Sequence, residues 1–178
     1  MNSIQIKNLA RTALLLALAI IIQFLGRNLP AINQFMVGPL INAILLITTF
    51  VCGTIWGISI GILTPILAWA VGQLPSPMAP FIPFIIIGNI IFVLAFGLLK
   101  SKSYGKYLGI LIGSILKFAF LSLSARKLVA LFKLAIPSKV ANKLIIMMGI
   151  PQLITALIGG ILALVVIYIL INRKVIEV

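Results

Sequence analysis

Six long apolar segments follow one another along the chain, and only short loops separate them. Charged residues make up 8% of the 178 residues, whereas a soluble domain has about 25%. So few charges cannot cover a water-facing surface, and this excludes a soluble enzyme. A membrane-spanning helix needs only about 20 apolar residues. The sequence therefore predicts one all-α membrane domain over residues 1–178, with six transmembrane helices near Leu9–Leu25, Phe35–Val51, Thr54–Val71, Phe81–Leu99, Tyr107–Ser124 and Leu144–Ile171.

The basic residues decide the orientation of these helices only weakly. With a cytoplasmic N-terminus, seven cations fall on the inner face and six on the outer face. The short loop with Lys100, Lys102 and Lys106 is densely basic, which favours the cytoplasmic side. We therefore expect both termini in the cytoplasm. Segment 125–143 then lies outside, either as an amphipathic helix on the membrane surface or as a lid over a pocket.

The balance of charges excludes much membrane chemistry. Fourteen Lys and Arg residues stand against one acid, Glu177, and there is no His. Proton relays and acid–base catalysis use Asp, Glu or His, so we expect no enzyme. One cysteine and no His leave no set of Cys and His metal ligands, so no metal and no cofactor is expected. We interpret the cations as topology determinants that meet lipid headgroups, and expect no nucleic-acid partner.

Lys117 lies near the middle of the fifth predicted span. An ionisable residue inside a membrane is costly and indicates a function. No acid of the sequence is available to pair with it there, so backbone carbonyls, water, lipid or a ligand must balance the charge. The alternative is a lysine that extends its side chain to the membrane surface.

Several polar side chains accompany Lys117 and predict a pocket that opens to the outside. Amides inside apolar helices often only form hydrogen bonds between helices. This alternative explanation applies to the candidate residues of the pocket and also to Asn42. Together with the cations, however, these groups suit a neutral or anionic small molecule. Trp69 is a further candidate, although an interfacial aromatic belt explains it equally. The expected substrate-binding residues are Lys117, Asn89, Gln152, Asn33, Gln34 and Trp69.

Four stretches carry a resemblance to a known family. The chain resembles the substrate-binding S component of an energy-coupling factor (ECF) transporter in its size, its six apolar helices and its basic character. The stretches are Ala13-x-x-x-Ala17 in the first helix, SPMAPFIPFIIIGN at 76–89, GSILKF at 113–118 and PQLITALIGGILA at 151–163.

The resemblance implies a substrate-capture subunit in a prokaryotic cell membrane. Such a subunit takes up a vitamin-like micronutrient from outside, and docks on a membrane T component driven by two ABC ATPase subunits. It implies that Ala13 and Ala17 contact the T component. It also implies that the ligand lies under the loop between helices 1 and 2. The chain lacks the Met-His start of the metal-binding members and lacks acids, so a neutral or anionic vitamin fits better than a metal or a cation.

Two other functions remain open from the sequence. One is a small cationic membrane protein without a solute, either holin-like or a scaffold. That function predicts no outward pocket and no role for Lys117. The other is a stand-alone carrier, which the lack of titratable acids disfavours because ion coupling usually depends on them.

Overall fold

The computed structural model describes residues 2–28, 33–129 and 136–175, and these residues form helices without any strand. A 3₁₀ helix, Ser76–Phe81, precedes the fourth α-helix, and a π-helical turn, Ser124–Leu128, continues the fifth. The α-helices are α1 (Ser3–Gly26), α2 (Asn33–Val51), α3 (Thr54–Ala70), α4 (Ile82–Leu99), α5 (Gly105–Leu123), α6 (Ser138–Met147) and α7 (Ile150–Asn172).

Five stretches of the described chain are long and apolar enough to cross a membrane. They are Ser3–Gly26, Gln34–Val51, Ser76–Leu99, Gly105–Lys127 and Ile150–Asn172. The remaining apolar helix, α3, has 17 residues, which corresponds to a length of about 26 Å at about 1.5 Å per residue. That is slightly less than the bilayer core of about 30 Å. The predicted all-α membrane fold is confirmed for this part of the chain.

The predicted sixth span, Leu144–Ile171, is wrong at its beginning. Leu144 belongs to a separate helix, α6, which ends at Met147, and α7 begins at Ile150. Pro151 stands in the first turn of α7 and has no N–H to extend the helix backwards. Of the segment 125–143, the residues 130–135 lie outside the described part of the chain.

α2 is the central helix of the bundle. Every residue from Asn42 to Thr49 is buried, so neighbouring helices surround this part of α2. α7 approaches α2 closely at Gly159, where an added Cβ would lie 2.5 Å from Asn42 Cβ and 2.6 Å from the Pro39 carbonyl oxygen. Only glycine leaves room for such an approach, which brings two helices into van der Waals contact within a membrane.

Hydrogen bonds at the two ends of the bundle show that successive helices alternate in direction. Asn8 Nδ2 donates to the Cys52 carbonyl at 3.1 Å, so the beginning of α1 lies beside the end of α2. At the opposite end, an Arg27 N–H donates to the Val71 carbonyl at 3.0 Å. Gln34 Nε2 donates there to the Met147 carbonyl at 2.6 Å. We call this second end, which holds the end of α1 and the beginning of α2, the cavity end.

α1 lies at the periphery and is the least buried of the five long helices. Its buried side carries Thr12, Ala19 and Gln23, while Leu14 and Ile21 are exposed on its outer side. In a membrane this outer side would meet lipid or a partner helix. Ala13 and Ala17 are both exposed.

Candidate ligand-binding site

A cavity of about 410 Å³ opens at the cavity end. Pockets for small molecules typically measure about 300–1,000 Å³. Every α-helix of the described chain contributes to its wall, together with the segment between α3 and α4. The cavity lies at the end of the bundle opposite to the beginning of α1.

The residues of the wall recur at helical spacing. Gln34, Gly38 and Asn42 are four residues apart on α2, and Thr64 and Ala68 are four apart on α3. Residues at this spacing share one face of a helix. The sequence signal for the cavity-facing sides of α2 and α3 is therefore a row of small and polar residues at four-residue intervals.

Lys117 lines the cavity and is 3% exposed. Its Nζ donates a hydrogen bond to Asn42 Oδ1 at 2.6 Å and lies 5.3 Å from the centroid of the Phe92 ring. A neutral amide and a ring face compensate a buried ammonium only in part. Glu177, the single acid of the sequence, lies outside the described residues. The side chain stays inside the bundle, so the alternative of a lysine that reaches the membrane surface does not hold.

Asn89 and Asn42 also line the cavity, and both are almost fully buried. Asn89 Nδ2 donates to the Gly61 carbonyl at 3.0 Å, which links α4 to α3. Asn42 Oδ1 accepts the hydrogen bond of Lys117. The sequence predicted Asn89 as a site residue but treated Asn42 only as a possible bridge between helices, and the structure brings both to the cavity.

Gln152 and Gln34 line the cavity as well, and each makes a contact within the protein. Gln152 Nε2 lies 3.5 Å from Met148 Sδ, and Gln152 Oε1 accepts a hydrogen bond from Thr155 Oγ1 at 3.2 Å. The bond from Gln34 to the Met147 carbonyl joins the beginning of α2 to the end of α6. The predicted residue Asn33 begins α2, but its side chain lies outside the described part of the structure.

Trp69 does not line the cavity, so the structure does not place it with the other predicted site residues. Its side chain is 46% exposed. Ala68 and Pro65 present their face of α3 to the cavity, and each further residue turns the helix by about 100°. Trp69 is therefore rotated away from the wall and faces outward.

Two further cations, Arg27 and Lys143, lie in the wall of the cavity and are exposed. The Arg27 guanidinium carbon lies 5.0 Å from the centroid of the Phe24 ring. Neither residue was predicted to belong to the site, because a cation in a predicted loop is ordinarily solvated. With Lys117 they give the cavity three positive side chains, and no carboxylate of the described residues lines it.

Met78, Met147 and Met148 supply an apolar part of the wall. Met78 belongs to the 3₁₀ helix, and the other two lie at the end of α6. Thioether side chains are flexible and adapt to the shape of a bound molecule. The cavity thus combines a fixed polar part with an adaptable apolar part.

An apolar helical bundle with five stretches of the described chain long enough to cross a membrane is typical of a multi-pass membrane protein. The family described as "ECF transporter, substrate-specific component" matches residues 7–171 of the chain. The chain therefore belongs to this family of transporter subunits, and the resemblance found in the sequence is confirmed. No curated protein and no solved structure matches the chain.

Proposed function

We propose that the chain captures a neutral or anionic, vitamin-like small molecule outside the cell and supplies it to an ECF-type importer. The observation that carries this proposal is Lys117, a buried cation in the wall of a cavity of small-molecule size. A ligand carboxylate or an electron-rich carbonyl would supply the missing counter-charge. A holin-like protein or a scaffold needs neither the cavity nor the buried cation.

The charge of the cavity narrows the class of substrate. Arg27, Lys117 and Lys143 contribute positive charge, and the part of the wall formed by the described chain contains no acid. Amines and metal cations would be repelled, because like charges in a site of low dielectric constant interact strongly. Neutral and anionic molecules remain, and of these the anionic ones have the stronger electrostatic attraction.

We propose six spans with both termini in the cytoplasm. α3 serves as the sixth span, and its shortness requires only a small local thinning of the bilayer. The end of the bundle opposite to the cavity carries seven basic residues, one more than the loops of the other side, and its dense basic loop at 100–106 suits the cytoplasmic side. The seven residues are Lys7, Arg11, Lys100, Lys102, Lys106, Arg173 and Lys174. The cavity then opens to the outside of a prokaryotic cell.

Transport itself would depend on partners. We propose that a membrane T component binds α1 at Ala13 and Ala17, and that two ABC ATPase subunits drive the assembly. The support is that α1 is the most exposed of the long helices and that both alanines are on its exposed side. Small residues allow two helices to approach closely in lipid. The chain would bind and release a solute without transforming it, and so act as a transport subunit rather than an enzyme.

Mass spectrometry of small molecules released from the purified protein tests the capture function. The protein is expressed in cells on rich medium, purified in mild detergent, washed and denatured. We expect one neutral or anionic compound in roughly equal amount to the protein. Lys117→Met protein prepared in parallel should release much less of it. Release of an amine or a metal ion alone would contradict the proposal.

A further inference from the structure

Three buried side chains, Asn42, Asn89 and Lys117, line the same cavity, and within the described residues each is held by a single hydrogen bond to a protein atom. We propose that they form a fixed recognition set that requires both a hydrogen-bond acceptor and a hydrogen-bond donor on the ligand. The substrate would be a carboxylic acid or cyclic amide that also carries an N–H or O–H. This inference rests on the proposed capture function and makes its substrate class narrower.

Asn89 supplies a fixed acceptor. Its Nδ2 donates to the Gly61 carbonyl at 3.0 Å, so turning the amide around would place Oδ1 against another oxygen. An added Cβ at Gly61 would lie 3.3 Å from Asn89 Cβ, which shows how tightly the two helices hold this side chain. Within the described chain, the hydrogen bond of Asn89 is made through Nδ2, and Oδ1 is not one of the fully buried polar atoms. Because Asn89 lines the cavity, this oxygen is open to accept a hydrogen bond from an N–H or O–H of a ligand.

Asn42 and Lys117 supply fixed donors. The Lys117 ammonium donates a hydrogen bond to Asn42 Oδ1 at 2.6 Å. Turning this amide around would therefore place its NH₂ group against the cation. Asn42 Nδ2 therefore remains a donor, and it has no acceptor within the described residues. The ammonium has three N–H groups, and Asn42 accepts one of them. Two adjacent donors, one of them cationic, suit the oxygen atoms of an ionised acid or of a polarised carbonyl.

The acceptor and the donors face the same cavity. Lys117 Nζ is 5.3 Å from the ring centroid of Phe92, which follows Asn89 by three residues on α4. Residues three apart are neighbours on one face of a helix. One small molecule in the cavity can therefore meet both the donors and the acceptor. Simple aliphatic acids offer only acceptors when ionised and would leave Asn89 Oδ1 without a partner.

A defined mixture of compounds tests this substrate class without knowledge of the natural ligand. Protein in mild detergent is incubated with equimolar water-soluble vitamins, nucleobases and simple aliphatic acids, passed through a gel-filtration column and analysed by mass spectrometry. We expect the wild-type protein to retain a compound that carries an N–H or O–H as well as a carboxylate or carbonyl. Titration of that compound should show that Asn89→Leu weakens binding about fivefold or more, because the site loses one buried hydrogen bond.

Asn8→Leu is the matched control. Asn8 Nδ2 also donates to a backbone carbonyl of another helix, at 3.1 Å, but it lies at the opposite end from the cavity. This variant should lose the same kind of helix contact and keep full affinity. Melting temperatures show which variants fold. If the Asn89→Leu protein does not fold, Asn89→Ala removes the same acceptor and the same bond to Gly61 without adding a bulky apolar side chain.

The outcomes separate this inference from the capture function. A retained compound without a donor, or an unchanged affinity of the folded Asn89 variant, overturns the recognition set while capture stands. If the wild-type protein retains no compound at all, the proposed function fails and the inference fails with it. An equal loss of affinity in Asn8→Leu would show that the Asn89 effect is a general loss of helix packing, and this too overturns the inference.

Discussion

Replacing Lys117 by Met tests the central electrostatic argument about the cavity. Methionine has a similar length and no charge, so it removes the ammonium and keeps much of the packing. Among the described residues of the wild-type protein, the ammonium has one hydrogen bond, at 2.6 Å to Asn42, and lies 5.3 Å from the centroid of the Phe92 ring. The cation therefore keeps most of its hydrogen-bonding capacity for a ligand.

The expected effect on affinity follows from the ligand contact that is lost. A hydrogen bond to a charged group contributes about 1.5–3 kcal/mol, and every 1.4 kcal/mol corresponds to a factor of about ten in affinity. Lys117→Met should therefore weaken the binding of the retained compound by about 10- to 150-fold.

The expected effect on stability is small or favourable. The variant leaves Asn42 Oδ1 without its donor, which costs about 1–3 kcal/mol when the acceptor is buried. It also removes a buried charge that no described carboxylate compensates, and relief of an uncompensated charge offsets a loss of this size. We expect the melting temperature of the empty protein to stay level or to rise.

Titration calorimetry and melting in detergent, on the same preparations, measure both effects. Lys106→Met is the matched control, because Lys106 Nζ also lies over a phenylalanine ring, 5.0 Å from the centroid of Phe50, and does not line the cavity. It should leave affinity unchanged. Unchanged affinity in Lys117→Met would refute a ligand contact. A large loss of stability together with lost binding would instead indicate that Lys117 mainly holds α5 to α2.

Three further predictions concern the partner, the orientation and the packing. Ala13→Trp with Ala17→Trp should keep ligand binding but abolish uptake with the T component, since bulky rings hold a partner helix away; normal uptake would place docking elsewhere. A single cysteine at Lys102, without the native cysteine, should react with an impermeant maleimide only from the cytoplasm, and labelling from outside would reverse the orientation. Gly159→Leu should destabilise the protein by about 1–3 kcal/mol or more through overpacking, because even a Cβ would lie 2.5 Å from Asn42 Cβ; an unchanged melting temperature would contradict the α2–α7 contact.

The sequence predicted four residues that the structure brings to the cavity wall and one that it does not. Lys117, Asn89 and Gln152 were predicted because a polar side chain in an apolar helix is costly wherever the helix lies, and Gln34 because it stood in a polar outer loop; all four line the cavity. Trp69 does not line it, and an aromatic residue near a helix end is favourable at a membrane surface as well as at a ligand.

The membrane class and the all-helical fold could be determined from the sequence alone. Composition decides them, since an apolar chain with 8% charged residues must satisfy its backbone hydrogen bonds internally within lipid. The helix ends followed largely from local signals, such as Gly53, whose φ of 105° separates α2 from α3. The break before α7 was misjudged, although Pro151 marked its position.

Only the tertiary structure decided which polar groups meet. Asn42 and Lys117 are 75 residues apart and form a bond of 2.6 Å, and the rotation of α2 and α5 about their own axes determines whether they touch. Helical periodicity identifies the residues that share a face of one helix, but it does not say which neighbouring helix that face meets. Here the contact of Gly159 with Asn42 and Pro39 brings α2 and α7 together. The rotation of a helix depends on such contacts between distant residues, so local sequence signals cannot supply it.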